Sequence, residues 1–240
     1  MKKATILTTC LTPSIYDMAR LTNVDKIVVA TKLPFYVDEN VNSMHLPSAT
    51  NKQVVLPVGE TSGKLCHEIP VVNVSSFFRN LRALVQTGYE DAPNLDLLMD
   101  IVDLWHAHAE KCTTLASVNV ALLRVLKGFG LINAEVIIDT DELDADLVDM
   151  ATYTDQLTTL VMGDLYVSRG HTRSMFSSYL ISNARESLDR MVYQRVDLDS
   201  PLIDGLTANV DPTNTSFLEA LAWIDYDQRE NAFKLRTYHD

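Results

Sequence analysis

The chain has 240 residues, 47% hydrophobic and 22% charged, an ordinary balance for a folded globular protein and enough chain for a sizeable core. A formal net charge of −12 argues against a nonspecific electrostatic grip on nucleic acid, although a local basic patch can exist on an acidic protein. Three widely spaced cysteines (Cys10, Cys66, Cys112), with no Cys-x-x-Cys pair, argue against a disulfide framework or a zinc site.

No apolar run approaches the roughly 20 residues needed to cross a bilayer. The N-terminal MKKATILTTCLTP lacks a small-residue cleavage site, so the chain reads as cytoplasmic and Lys3–Thr9 as its first strand. Ser14 is placed to cap a short helix over Ile15–Asn23. Lys26–Ala30 (KIVVA) is a second strand, apolar after its first residue and of the kind buried on both faces. Thr31–Gln53, with Pro34, Pro47 and three asparagines, reads as a long loop with room for one short strand.

Two β-branched runs, Val54–Val58 and Ile69–Val74, read as a strand pair around a polar loop that carries Gly59, Ser62, Gly63, Lys64, His67 and Glu68. Ser75 or Ser76 can cap a helix over Phe77–Thr87, ended by Gly88. A second helix runs from about Asn94 to Lys111 behind Pro93. A third covers about Leu115 to Gly128 and closes on Lys127-Gly128. Glu135–Asp139 is another buried-type strand, Asp164–Ser168 (DLYVS) a further one, and Asn214-Thr215-Ser216 caps a final helix over Phe217–Asp225. The pattern predicts an α/β fold in a single domain over residues 1–240, a mixed sheet of short strands with a helical layer inserted at about 75–130.

The chain has eight glycines and no phosphate-cradling glycine fingerprint, no zinc-protease helix motif and no nucleophile elbow, so a nucleotide-binding enzyme of the usual kinds is not supported. His106 and His108 lie two apart on a predicted helix, about 200° around its axis, and cannot easily share a metal. Ser168-Arg169-Gly170-His171-Thr172-Arg173 follows a strand and precedes a helix. Free backbone N–H groups and two guanidinium forks there suit an anion or a phosphate, and solvation or pairing with the acidic 135–155 stretch would explain them equally well. Asn119, an amide in an apolar helical segment, must find hydrogen bonds if buried, and a structural tether is the plainer explanation.

In order along the chain, RLTNVDKIVV (20–29), VVLPV with GETSGKLCHEIPV (54–71) and FFRNLRALVQTGYEDAP (77–93) resemble the WbqC-like family. LASVNVALLRVLKGFGL (115–131), LYVSRGHTRSMF (165–176) and SFLEALAWID (216–225) continue the resemblance. Each motif alone is weak, and the ordered set is what carries the likeness. The chain departs from the family pattern at several places. Thr9-Cys10 stands where members have a Gln-Pro pair, and Thr31-Lys32 where they have an acidic pair. Of a Trp-x-Asn-Arg-Asn type segment only Asn42 is kept, and Ser168-Arg169-Gly170 retains one glycine.

The resemblance implies transferase chemistry of a cofactor-poor kind: no cofactor is expected, and no residue is singled out as a metal ligand. Bacterial relatives sit with surface-polysaccharide synthesis, and relatives in bacteriophages are associated with thymine hypermodification. The departures tilt the expectation towards the second: an amino acid amine displacing pyrophosphate from an activated hydroxymethyl-uracil in DNA. Expected partners are therefore DNA bearing the activated pyrimidine and a free amino acid, with no membrane. Arg169, Gly170, Arg173 and Lys64 are the candidate clamp for the leaving pyrophosphate. His45 or His67 would keep the amine neutral. Arg79 would hold the amino acid carboxylate, and Asn42 and Asn119 would orient the base edge. The alternatives are aminoacyl or acyl transfer to a nucleotide-linked amino sugar, and an inactive binding or scaffold protein.

Overall fold

The computed structural model describes residues 4–21, 25–31, 35, 40–138 and 215–223. They form a mixed α/β fold. Strand β1 (Ala4–Thr8) leads through helix α1 (Ile15–Leu21) to β2 (Lys26–Ala30), the strand–helix–strand unit that parallel pairing requires. Strand β5 (Glu135–Ile138) lies parallel on the other side of β2, with Ile27 opposite Val136, so the sheet order is β1-β2-β5. Ile27 and Val29 are fully buried, as the uninterrupted apolar run of β2 requires.

The antiparallel strands form a second, separate sheet rather than joining the first. β3 (Ser43–His45) pairs with β4 (Gln53–Val55), Met44 opposite Val54. The 54–58 run thus pairs chiefly backwards, with the one short strand for which the long 31–53 segment left room. Its forward partner is met through the Val58–Val71 bridge and two main-chain bonds, Gly59 N–H to the Pro70 carbonyl and Val72 N–H to the Pro57 carbonyl. Ile69–Val74 forms no strand of its own. Pro70 breaks it, and the next helix already begins at Val74.

Three helices make the inserted layer: α2 (Val74–Gly88), α3 (Leu95–Ala109) and α4 (Leu115–Gly128), each packed on the next. Helix α2 starts three residues earlier than Ser75 or Ser76 capping predicts, because Asn73 takes a left-handed conformation (φ 53°) and lets the chain turn directly into the helix. Trp105 and Phe78 lock α3 to α2 edge-on, centroids 4.8 Å apart, and the Trp105 indole N–H donates to the Val118 carbonyl of α4. Helix α4 is capped by Thr114, whose hydroxyl accepts from the Ser117 N–H while the Ser117 hydroxyl accepts from Thr114 N–H. It ends at Gly128 as expected, and Gly130, at φ 71°, turns the chain away: Leu131 N–H reaches the Leu126 carbonyl and Gly130 N–H the Lys127 carbonyl, the paired bonds of a Schellman turn.

Helix α5 (Phe217–Trp223) is buried on every side except at Trp223. It enters beside α1: Ile15 N–H donates to the Thr215 carbonyl, and Phe217 N–H to the Pro13 carbonyl. In the same corner Ser14 and Asp17 form the cap predicted for α1, each accepting from the other's backbone N–H. The far end of α5 is held by Asn94, whose side-chain amide donates to the Leu221 carbonyl. Glu219, 3% exposed, accepts from the Ser48 N–H, the Ser48 hydroxyl and the Tyr89 hydroxyl, the last at 2.6 Å.

Two stability predictions follow from this packing. A Cβ at Gly88 would lie 2.3 Å from the Ala49 Cα, whereas a Cβ at Gly128 would meet nothing within 4 Å. Gly88→Ala should therefore cost about 1–3 kcal/mol or more in denaturant midpoint analysis, and Gly128→Ala should stabilise by about 0.5–1 kcal/mol.

The second concerns pH. Burial first, and then the adjacent Glu219 carboxylate, push the Tyr89 phenol far above its usual range, so the folded chain keeps it neutral. Its contribution is fully present below the unfolded tyrosine value of about 10. Above about pH 10 the unfolded chain ionises first, and stability falls by about 1.4 kcal/mol per pH unit from this residue. Denaturation series on the parent and on Tyr89→Phe should show the steeper alkaline loss in the parent. The variant should also be weaker by about 1–3 kcal/mol at neutral pH, having left Glu219 one donor short.

Candidate functional site

All three strands of the first sheet are parallel, so their carboxyl ends share one edge. In open α/β sheets that edge is where ligands bind, because loops leaving strand ends can converge there. Here the edge is unusually polar for a buried place: Thr9, Thr12, Thr31, Asn40 and Asn42 are each less than a tenth exposed.

A closed circuit of contacts surrounds the edge. Leu11, just past β1, donates its N–H to the Asn40 carbonyl at 3.0 Å. The neighbouring Val41 carbonyl accepts from the Asn119 side-chain amide at 3.0 Å. Asn119 sits on α4, which packs on the single 3-10 turn Cys66–Glu68, and Leu115 N–H of α4 donates to the Ile69 carbonyl just beyond that turn. From the turn, His67 reaches back to Thr31 at the end of β2 with both its backbone N–H (3.1 Å) and its ring Nδ1 (3.2 Å) on the same carbonyl. β2 pairs with β1, which closes the circuit.

The Thr31 carbonyl can only accept, so the His67 ring must carry its proton on Nδ1 to make this bond. Nε2 of the neutral ring is then left with its lone pair, the form a base or a ligand uses. Asn119 is tethered in the same way and is 3% exposed. Its Nδ2 is fixed on Val41, and flipping the amide would set oxygen against oxygen. Its Oδ1 is buried without a partner. An acceptor so placed costs about 1–3 kcal/mol unless something donates to it.

The other sequence candidates distribute around this core. Lys64 lies three residues before His67, half-exposed, with Nζ 3.5 Å from the Glu60 carboxylate. Asn42 is buried next to Val41, and its Nδ2 donates to the Leu56 carbonyl at 3.0 Å while its own carbonyl accepts from Leu56 N–H, so it works as a cross-strand tether. His45 belongs to β3, where it faces Gln53 across the ladder and its carbonyl accepts from Ser216 N–H. Strand alternation directs it to the face opposite Asn42 and Met44. Arg79 is exposed on α2, the helix packed on α3. Arg169, Gly170 and Arg173 lie outside the described residues.

His106 and His108 share no site. His106 stacks on Phe78 at 5.0 Å, with Nε2 3.3 Å from the Glu110 carboxylate but off the angle of a hydrogen bond, and His108 is exposed. Among the described residues no group of three or more His, Cys, Asp or Glu could hold a metal ion, and no helix is long and apolar enough to cross a membrane. The residue that sequence reasoning missed is Thr31, which acts through its main chain and so leaves no side-chain signal. No family model, curated protein or solved structure matches the chain.

Asn42 and His67 should separate cleanly in experiment. Asn42→Ala removes a buried tether and should cost about 1–3 kcal/mol of stability by denaturation. His67→Gln removes a half-buried ring and should move stability by less than half as much.

Proposed function

We propose that this chain is a transferase that joins an amino acid, such as glycine, through its amine to a pyrophosphorylated hydroxymethyl-uracil in DNA. The observation that carries the reading is His67, held by the Thr31 carbonyl at the carboxyl end of a parallel sheet in the tautomer that leaves Nε2 basic. The order of sequence segments shared with the WbqC-like family supports the reaction class. In the reaction the amine nitrogen attacks the exocyclic methylene carbon of the base. A carbon–nitrogen bond forms, the carbon–oxygen bond to pyrophosphate breaks, and the amine's surplus proton passes to His67 Nε2.

The protein's part is to position and to balance charge. Lys64, on the loop that runs into the His67 turn, supplies positive charge for the departing pyrophosphate, and Arg169 and Arg173 complete the clamp. Arg79 serves the amino acid carboxylate, and the base enters flipped out or single-stranded, since duplex stacking would hide the methylene carbon. His45 stands as the reserve base. One observation favours a second reading: a net charge of −12 suits a small nucleotide-linked amino sugar as acceptor better than a polyanion.

Nucleoside mass spectrometry decides between them. DNA carrying the pyrophosphorylated base, incubated with the protein and amino acids, should yield a nucleoside heavier by one amino acid and lighter by pyrophosphate. His67→Gln should lower the rate by about a hundredfold or more while the protein stays folded. Unchanged DNA, with product formed instead on a nucleotide-linked amino sugar, would overturn the DNA reading.

A further inference from the structure

His67 and Asn119 share a design: one polar atom of each is tethered to a main-chain carbonyl, and the other is an acceptor. For His67 the tether is Nδ1–H to Thr31 and the remaining acceptor is Nε2. For Asn119 it is Nδ2–H to Val41, and the remaining acceptor is Oδ1, buried and without a partner. The turn that carries His67 packs on the helix that carries Asn119, so the two residues belong to one ring of contacts around one strand edge. Two fixed acceptors with no cation or donor set against either among the described residues fit a ligand group made only of donors. A primary ammonium, with three N–H bonds, is that group.

We infer that the His67–Asn119 ring is an amine-binding subsite, in which Asn119 Oδ1 and His67 Nε2 accept hydrogen bonds from the ammonium of a small amino compound. The assignment moves Asn119 from the base edge to the nucleophile. Asn119 cannot ionise, so it holds the group in either protonation state, while His67 takes the proton that leaves when ammonium becomes amine. The subsite's place in a reaction rests on the transferase reading, but its binding chemistry stands on the two tethers.

The test is a titration of the full-length, 15N-labelled protein with glycine, using N-acetylglycine as the probe that lacks an ammonium. Glycine should shift the His67 Nε2 and the Asn119 side-chain amide resonances and raise the melting temperature, and N-acetylglycine should do neither. Asn119→Leu should weaken glycine binding roughly ten- to a hundredfold, the loss expected for one hydrogen bond to a charged group. If that variant does not fold, the parent titration decides alone. Glycine that moves neither resonance, or N-acetylglycine that moves both equally, overturns the subsite and leaves water as the partner of Asn119. DNA product formed without these shifts also overturns the subsite while keeping the transferase reading. The shifts without any DNA product keep the subsite and remove that reading.

Discussion

A single buried carboxylate ties the last described helix to two distant points in the middle of the chain. Glu219 lies inside the core, where an unpaired charge would cost several kcal/mol, and it is tolerated because three donors meet it. Two come from Ser48, on the loop after β3, and the third from Tyr89, at the end of α2. Burial first and Glu219 second keep Tyr89 neutral, and Gly88 beside it lets the loop backbone approach to a distance no side chain would permit. Helix α5 is too short to be stable alone. It exists because its apolar surface is wrapped by the core and its one acid is answered there.

The sheet edge depends on that arrangement at one remove. With α5 docked, its first turn exchanges main-chain hydrogen bonds with Pro13 and Ile15, and Ser216 N–H bonds the His45 carbonyl. The segment from Asn40 to Leu46 is thus held between the α5 corner and the β1 end, and it carries Val41 to the carbonyl position that Asn119 needs. Three polar side chains around the edge, Asn42, Asn119 and His67, are each fixed on a main-chain carbonyl. A tethered group loses little further freedom on meeting a ligand, which is what preorganisation requires.

Much of this architecture was legible in the residues. The KIVVA and EVII runs announced buried strands, and the apolar spacing of 95–109 and 115–128 announced helices that end within a few residues of the expected places. Ser14 did cap its helix. The runs around the 59–68 loop do meet, at the Val58–Val71 bridge, but the longer pairing of the first run is with β3, because β-propensity says a segment is extended without saying what lies beside it. The third helix stops at Gly128 as its sequence signals, while the left-handed conformation that turns the chain falls two residues later, on Gly130. A lone Glu in SFLEALAW was a visible signal of a buried network, and its partners Ser48 and Tyr89 were not, being 171 and 130 residues away.

Sequence alone determined the local events: which stretches are extended or helical, where caps sit, that no cysteine framework exists, and that His67 and Asn119 are the chemically able residues of their segments. These depend on periodicity and on neighbours within a few positions. Only the tertiary structure decided that the strands form two sheets, that Asn42 is a tether, and that His67 and Asn119 belong to one circuit of contacts at a strand edge. Those outcomes rest on main-chain carbonyls at Thr31, Val41 and Leu56. Every residue has a carbonyl, so its significance comes from where the fold puts it.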